Sequence, residues 1–393
     1  MSEDPLFPIR IALLREFMAR EHLDGLLLTR IDNFAMATGG RRNYVSTMTD
    51  VGANALFVPR HGAPCFVGNA IEAPRQMAEE LGALGCDAVI FPWHEGSPAA
   101  AAAARFTGTL ASDDGSLGPN VHARLATLRA LLTPLELEKY RQLGVLAAEA
   151  MTATLAAITP GMPEADIAAR LVWEGQQRRC QVPVALVAAD DRIAKFRHPL
   201  PTLASMHGEG KERGVNRYVM VVGGFLREGL VASLTRFKAV DSVPEPLIEA
   251  YARICAVEVR MQAATLPGAT LGEVFTAAQA AYLEFGFGAD EWRNHHQGGA
   301  TGYAGRTAKG APGSTVPVLD MSWDMAVSER LGFGVSFGAA FAWNPSAPGV
   351  KSEDTFLLFP DGQQCVATAT PSLPRVDLPG PAPANAAEKS GIA

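Results

Sequence analysis

Residues 218–238 read YVMVVGGFLREGLVASLTRFK, two runs of β-forming residues joined at Arg227-Glu228-Gly229. Valine, leucine and phenylalanine fill both runs, and a charged pair followed by glycine is turn chemistry, so the stretch predicts a β-hairpin. A related pattern lies on either side of it. Residues 155–167 (LAAITPGMPEADI) and 263–274 (AATLPGATLGEV) each stop an alanine-rich helical pattern at Pro-Gly. Each then passes four residues and places an acid, Asp166 or Glu273, before Ile or Val. Pro-Gly ends many helices. The same punctuation twice predicts a duplicated helix–turn–helix unit whose halves fold around a shared centre.

Upstream, the helical pattern LELEKYRQLGVLAAEAMTATLAAI starts after Leu132-Thr133-Pro134, which sets a domain boundary. Before that boundary, residues 9–22 have helical apolar spacing and Gly25–Thr29 (GLLLT) suits a buried strand. Ala55–Pro59 and Pro64–Gly68 flank Arg60-His61-Gly62 as strand–turn–strand, a helical pattern covers 71–84, and CDAVIFPW (86–93) reads as a further strand. The alternation predicts an α/β domain over residues 1–132, a second domain over 133–370 and a Pro/Ala-rich, disordered tail over 371–393. The alanine run at 99–104 reads as helix or loop filler.

Composition narrows the class. The chain has 393 residues, 48% hydrophobic and 19% charged, the balance of a soluble globular enzyme. A net charge of -7 argues against a nucleic-acid partner, which needs a basic face. No apolar stretch is long enough for a membrane span, and Met1-Ser2-Glu3-Asp4-Pro5 lacks a signal-peptide pattern. Cys65, Cys86, Cys180, Cys255 and Cys365 are far apart, with no CxxC pair or compact Cys/His cluster in the sequence. Neither a disulfide framework nor a zinc knuckle is expected, and the expected setting is the reducing cytoplasm.

Three further segments could carry chemistry. In Phe196-Arg197-His198-Pro199 the proline keeps His198 out of a helix interior, and alone it reads as a surface-loop histidine. In Asn294-His295-His296-Gln297-Gly298-Gly299-Ala300-Thr301-Gly302-Tyr303, adjacent histidines on a strand would face opposite sides and would not share one metal easily. Its glycines let backbone approach a ligand, but it lacks the strand-then-helix context of a nucleotide loop. In FAWNPSAPGVKSEDTFLL (341–358), Lys351, Glu353 and Asp354 enter a strand-like run, where charges commonly mark an exposed edge.

Taken in order, these segments resemble the pita-bread family of methionine aminopeptidase, aminopeptidase P, prolidase and creatinase, over roughly residues 9 to 369. The resemblance implies an N-terminal creatinase-type α/β domain followed by a pseudo-two-fold pita-bread catalytic domain, and a homodimer. Peptidases of that family bind two divalent metals through two Asp, one His and two Glu. Here Ser233-Leu234-Thr235-Arg236 is similar to Asp-x-Thr-Arg with Ser233 for the Asp, and Val222 stands eleven positions earlier for the other. His296-Gln297-Gly298-Gly299-Ala300 is similar to His-x-x-Gly-His with Ala300 for the ligand histidine. Asn344-Pro345-Ser346 stands for Glu-Pro-Gly, and only Gly349-Val350-Lys351-Ser352-Glu353-Asp354 keeps its ligand, Glu353. Two close dications need several carboxylates to offset their charge. A dinuclear site is therefore not expected, and neither metal nor another cofactor is assigned.

By analogy with creatinase, the leading expectation is metal-independent hydrolysis of a non-peptide C–N bond in a small polar metabolite. The resemblance implies His198 as general acid/base, His296 as polariser and Glu353 as anchor of substrate or water, with histidine suited by its near-neutral pKa. Arg197, Arg236, Tyr303, Arg306 and Asn344 are candidate substrate-binding residues, because arginine grips carboxylates through paired hydrogen bonds. For Arg236 a structural ion pair is the commoner role, and His295 is expected to face core or solvent. An Xaa-Pro metallopeptidase would need replacement ligands, for which Glu228, Asp320, Asp324 and Glu329 are candidates. The third reading is a non-catalytic binding module. Segment 311–336 exceeds the family core and reads as lid, dimer element or insertion loop.

Overall fold

The computed structural model describes residues 4–201 and 214–371. The tail expected from 371 onward, apart from its first residue, and most of the stretch after His198 lie outside the described residues. Helix α1 (Leu6–Arg20) leads into strand β1 (Gly25–Arg30) and helix α2 (Ile31–Thr38), followed by β2 (Val51–Pro59), β3 (Cys65–Asn69) and β4 (Asp87–Phe91). Helix α3 (Pro98–Arg105) and β5 (Leu110–Ser112) complete a five-stranded sheet of order β4-β3-β2-β1-β5. The alanine run forms α3, whose Ala99 and Ala102 pack on Leu27, Phe57 and Val67 of the sheet. The single helix expected over 71–84 is instead a short α-turn, Ala73–Arg75, continued as a π-helix over Gln76–Leu81.

Thr133 opens the second half. Its side chain accepts from the Glu136 amide while Glu136 reaches back to the Thr133 amide, a capping box with Pro134 at the first helical position. Helix α4 (Pro134–Ala157) is followed by α5 (Glu164–Gln177), β6 (Gln181–Ala189), β7 (Tyr218–Arg227) and β8 (Leu230–Ala239). The second copy runs α6 (Glu245–Ala264), α7 (Leu271–Glu284), β9 (Gly298–Gly302) and β10 (Gly305–Lys309). After α8 (Ser322–Leu331) come β11 (Ala339–Trp343), β12 (Ser346–Ala347), β13 (Val350–Lys351), β14 (Asp354–Leu358) and β15 (Gln364–Val366). The Pro-Gly repeat is therefore a structural repeat: α5 and α7 are both 14 residues long, with Asp166 and Glu273 in their first turns. Acids there meet the positive end of the helix dipole.

The expected hairpin is present. Strands β7 and β8 pair from Tyr218↔Ala239 to Arg227↔Leu230, and Glu228 (φ 50) and Gly229 (φ 76) make a turn with both central residues left-handed. A Cβ on Gly229 would sit 2.8 Å from Ala35 and from Tyr303, so the close approach also requires glycine there. The β6-β7-β8 sheet meets the β10-β9-β11-β14-β15 sheet where β8 runs beside β14. The Thr235 amide donates to the Glu353 carbonyl (3.0 Å) and the Ser233 amide to Thr355 Oγ1 (2.8 Å). That junction brings Thr235 and Glu353 together.

One buried cluster ties the halves. Glu136 accepts from Arg10 Nε (2.8 Å) and from the Tyr303 hydroxyl (2.6 Å), while Arg10 also donates to the carbonyls of Leu128 and Leu131. Tyr303 thus serves this cluster, and the substrate-binding role expected for it is corrected: its hydroxyl is consumed far inside the protein. Segment 311–336 carries α8, which packs on α1 through Arg20 over the Trp323 ring (3.9 Å) and the Arg330–Glu16 ion pair (2.8 Å). Replacing Arg10 by Met leaves Glu136 buried without its cation, and is expected to cost about 3–5 kcal/mol. Tyr303→Phe removes one hydrogen bond and is expected to cost about 1–2 kcal/mol. Denaturant unfolding of the two variants checks the ranking, and equal losses would contradict the cluster's role.

Candidate active site

His198 follows a short helix, Arg192–Lys195, and its loop returns to β6 through the Val187 amide, which donates to the Pro199 carbonyl (3.1 Å). Arg197 pairs with Glu291, on the 3₁₀ turn Glu291–Asn294 that delivers His295. Gln297 holds this turn: its Nε2 donates to the carbonyls of His295 (2.7 Å) and Trp292 (2.9 Å), and its Oε1 accepts from the Tyr282 hydroxyl (2.9 Å). Strand β9 begins only at Gly298. His295 and His296 therefore precede the strand, and the opposite-face expectation is corrected: their rings stack at 4.4 Å with planes 26° apart.

His295 does not face plain core or solvent either. Its Nε2 lies 3.1 Å from His198 Nε2, and one nitrogen from each of His198, His295 and His296 falls within 4.8 Å of the others. The fold thus assembles the compact histidine cluster that linear spacing did not suggest. Burial first, then the charges of Lys351 and neighbouring histidines, pushes His295 down to about 2. Burial and Arg306 push His296 down to about 4, and burial and Lys351 lower His198. Desolvation and nearby cations both disfavour the imidazolium, so His295 and His296 are neutral near pH 7.

Glu353 is near enough for its charge to bear on His198 and is buried, as are Lys351 and Asp354, so the exposed-edge reading of this run is corrected. Glu353 Oε2 accepts from Thr235 Oγ1 (2.9 Å) and pairs with Lys351 Nζ (3.0 Å). Its Oε1 accepts from Asn344 Nδ2 (3.4 Å), with the Arg306 guanidinium at 3.9 Å. Burial works to raise the Glu353 carboxyl, but Lys351, Arg306 and these hydrogen bonds outweigh it and hold the group below the usual carboxylate range.

The other candidates separate. Arg236 is a strut, donating to Asp354 (2.7 Å), Thr370 Oγ1 (2.6 Å) and the Thr368 carbonyl (2.9 Å), so its substrate-binding candidacy yields to the ion-pair role. Arg197 is engaged by Glu291, and Arg306 donates to the carbonyls of Gly299 and Ala342 while reaching toward Glu353. Asn344 stays in the site, with a buried Oδ1 that lacks a hydrogen-bond partner. Of the proposed replacement ligands, Glu228 pairs with Lys139 at the hairpin turn (2.8 Å), and Asp320, Asp324 and Glu329 belong to the segment packed on α1. None joins the histidines in a metal-ligating group among the described residues. Sequence reasoning named Lys351 and His295 but left both out of the site. Lys351 carried a usable signal, because two residues before Glu353 on an extended chain is the same face.

The family's two-metal set does not fit these residues. Val222 packs in an apolar group with Leu186, Ile193 and Met220, opposite Thr235, while Ser233 pairs with Gly224 and Ala300 is buried. Only Glu353 offers a carboxylate at a ligand position, and Lys351 already neutralises it.

Comparison with known proteins identifies the fold and the family. The model of metallopeptidase family M24 matches residues 138–355, more than half of the chain. A search of curated proteins gave no match. Among solved structures, the dipeptidase PepE from Mycobacterium ulcerans is similar at 18% identity and a TM-score of 0.68, covering 94% of this chain and 97% of that one. The prolidase from Pyrococcus furiosus is similar at 18% identity and 0.65, covering 91% and 99%. The N-terminal domain of FACT complex subunit SPT16 from Cicer arietinum is similar at 10% identity and 0.64, covering 94% and 97%. At such identities the structures establish the pita-bread fold, and the family match adds the lineage: the chain belongs to metallopeptidase family M24.

Proposed function

We propose that this M24 chain is a hydrolase that cleaves a C–N bond in a small, anionic, dipeptide-sized substrate at the three-histidine centre, without the family's paired metals. The observation that carries this reading is the convergence of His198, His295 and His296 beside the buried Lys351–Glu353 pair. Imidazole lone pairs that no proton occupies near pH 7 are what a water-activating centre needs. The charges of Lys309 and Lys351 both bear on His198 and His296, so the neighbourhood favours an anionic end such as a peptide carboxylate. Glu353 orients the cationic groups that receive it. The prolidase and dipeptidase neighbours favour a peptide-like substrate over the guanidino acid suggested by the creatinase analogy.

A panel of Xaa-Pro dipeptides, other dipeptides, N-acyl amino acids and guanidino acids tests this. Product release is expected from the dipeptide-sized acids, with kcat/KM falling by about 10²-fold or more in His198→Ala and His296→Ala at unchanged thermal midpoint. Turnover confined to guanidino acids, or none by the folded protein, would overturn the reading.

The Lys351–Glu353 pair gives a second, pH-dependent expectation. Glu353 is depressed in the folded protein, so its stabilisation is present above the ordinary carboxylate pKa and is lost as pH falls through the depressed value. Lys351→Met leaves Glu353 buried with a weaker partner set, at an expected cost of about 3–5 kcal/mol near pH 8. The difference from the parent narrows toward pH 4, where Glu353 in the variant takes up a proton. Thermal midpoints across that range check the sign, and a pH-independent difference would contradict it.

A further inference from the structure

We propose that His198, His295 and His296 form a mononuclear site for one zinc-class divalent cation, distinct from the dinuclear ligand set that this chain lacks. The inference rests on reading the cluster as the reaction centre and names what its lone pairs hold.

Geometry carries it first. Two nitrogens bound at about 2.0–2.1 Å to one tetrahedral ion lie about 3.3 Å apart. His198 Nε2 and His295 Nε2 are already at 3.1 Å, and the third ring has a nitrogen within 4.8 Å of both. Closing that last gap needs a shift of His296, which is half-buried, or of His198, which is exposed.

Hydrogen bonding points the same way. The three rings share one contact of hydrogen-bonding length, while His296 Nδ1 is buried without a partner. His295 is only 8% exposed, and Asn344 Oδ1, on the side chain that donates to Glu353, is a further buried acceptor left unpaired. A buried nitrogen without a partner is costly, and coordination through His296 Nδ1 would satisfy it.

The donor set selects the ion. Three imidazoles with no coordinating carboxylate suit zinc, nickel or copper and not magnesium, calcium or manganese. Nearby cations oppose a dication, but Lys351 is matched by Glu353 at 3.0 Å and Arg197 by Glu291. Arg306 and Lys309 remain as excess positive charge. With three protein ligands and one open position, the complex recruits an anionic fourth ligand, which the same excess charge favours.

The test uses the full chain after chelator treatment and dialysis, titrated with zinc and, separately, with cobalt(II). Elemental analysis is expected to give one ion per chain, with visible cobalt bands of a low-coordinate nitrogen site and a raised thermal midpoint. His198→Ala and His296→Ala are expected to weaken binding by more than the roughly 10–100-fold that loss of an outer-shell partner costs. A His61→Ala/His94→Ala double variant, altering exposed histidines elsewhere, is expected to bind normally. No bound metal, or binding unchanged in the cluster variants, overturns the site. Assaying the chelated protein separates the two claims: hydrolysis by a protein that takes up no metal leaves the proposed function standing and removes this inference, whereas cluster-dependent binding with no hydrolysis does the reverse.

Discussion

The candidate site depends on how one buried carboxylate is kept charged. An ionised Glu353 in the interior loses several kcal/mol of hydration. At the 3.0 Å separation of Lys351, an effective dielectric near 20 returns about 5 kcal/mol, enough to hold the pair. The remaining partners come from different elements: Thr235 from β8, Asn344 after β11 and Arg306 from β10. Satisfying Glu353 therefore fixes how the two sheets meet. It also places an ammonium ion where the neighbouring histidines feel it, which helps keep them unprotonated. A peptidase of this family uses dications to balance its carboxylates. In this chain the surviving carboxylate is balanced by lysine and arginine, and the proposed cation site lies on a different group of residues.

Much of the scaffold was legible in the sequence because its signals are local. The β7–β8 hairpin was marked by β-formers around Glu228-Gly229, and the repeat by Pro-Gly followed by an acid in the next helix's first turn. Losses at Val222, Ser233, Ala300 and Asn344 were matters of residue identity and needed no geometry. The π-helix at Gln76–Leu81 was not legible, since apolar spacing does not distinguish it from an α-turn. The histidine doublet was misread because the strand was started too early: β9 begins at Gly298, and a bend before it releases both rings to one side. Tyr303 illustrates a different limit. A tyrosine near glycines looks the same in sequence whether it meets substrate or, as here, a buried glutamate.

The same scaffold carries prolidases, dipeptidases and a domain of a FACT complex subunit, so the fold alone does not decide among hydrolysis and binding. What separates this chain is local. The histidine trio, the lysine-balanced glutamate and the apolar Val222 position describe a centre that differs from the two-metal arrangement in both charge and donor atoms.

Crystals grown with zinc and manganese together, with anomalous diffraction recorded at both absorption edges, test that distinction most directly. The account predicts one zinc peak at bonding distance from His198, His295 and His296, and no manganese pair beside Glu353. Two adjacent metal peaks bound through Glu353 and Asn344, with the histidines unligated, would contradict it.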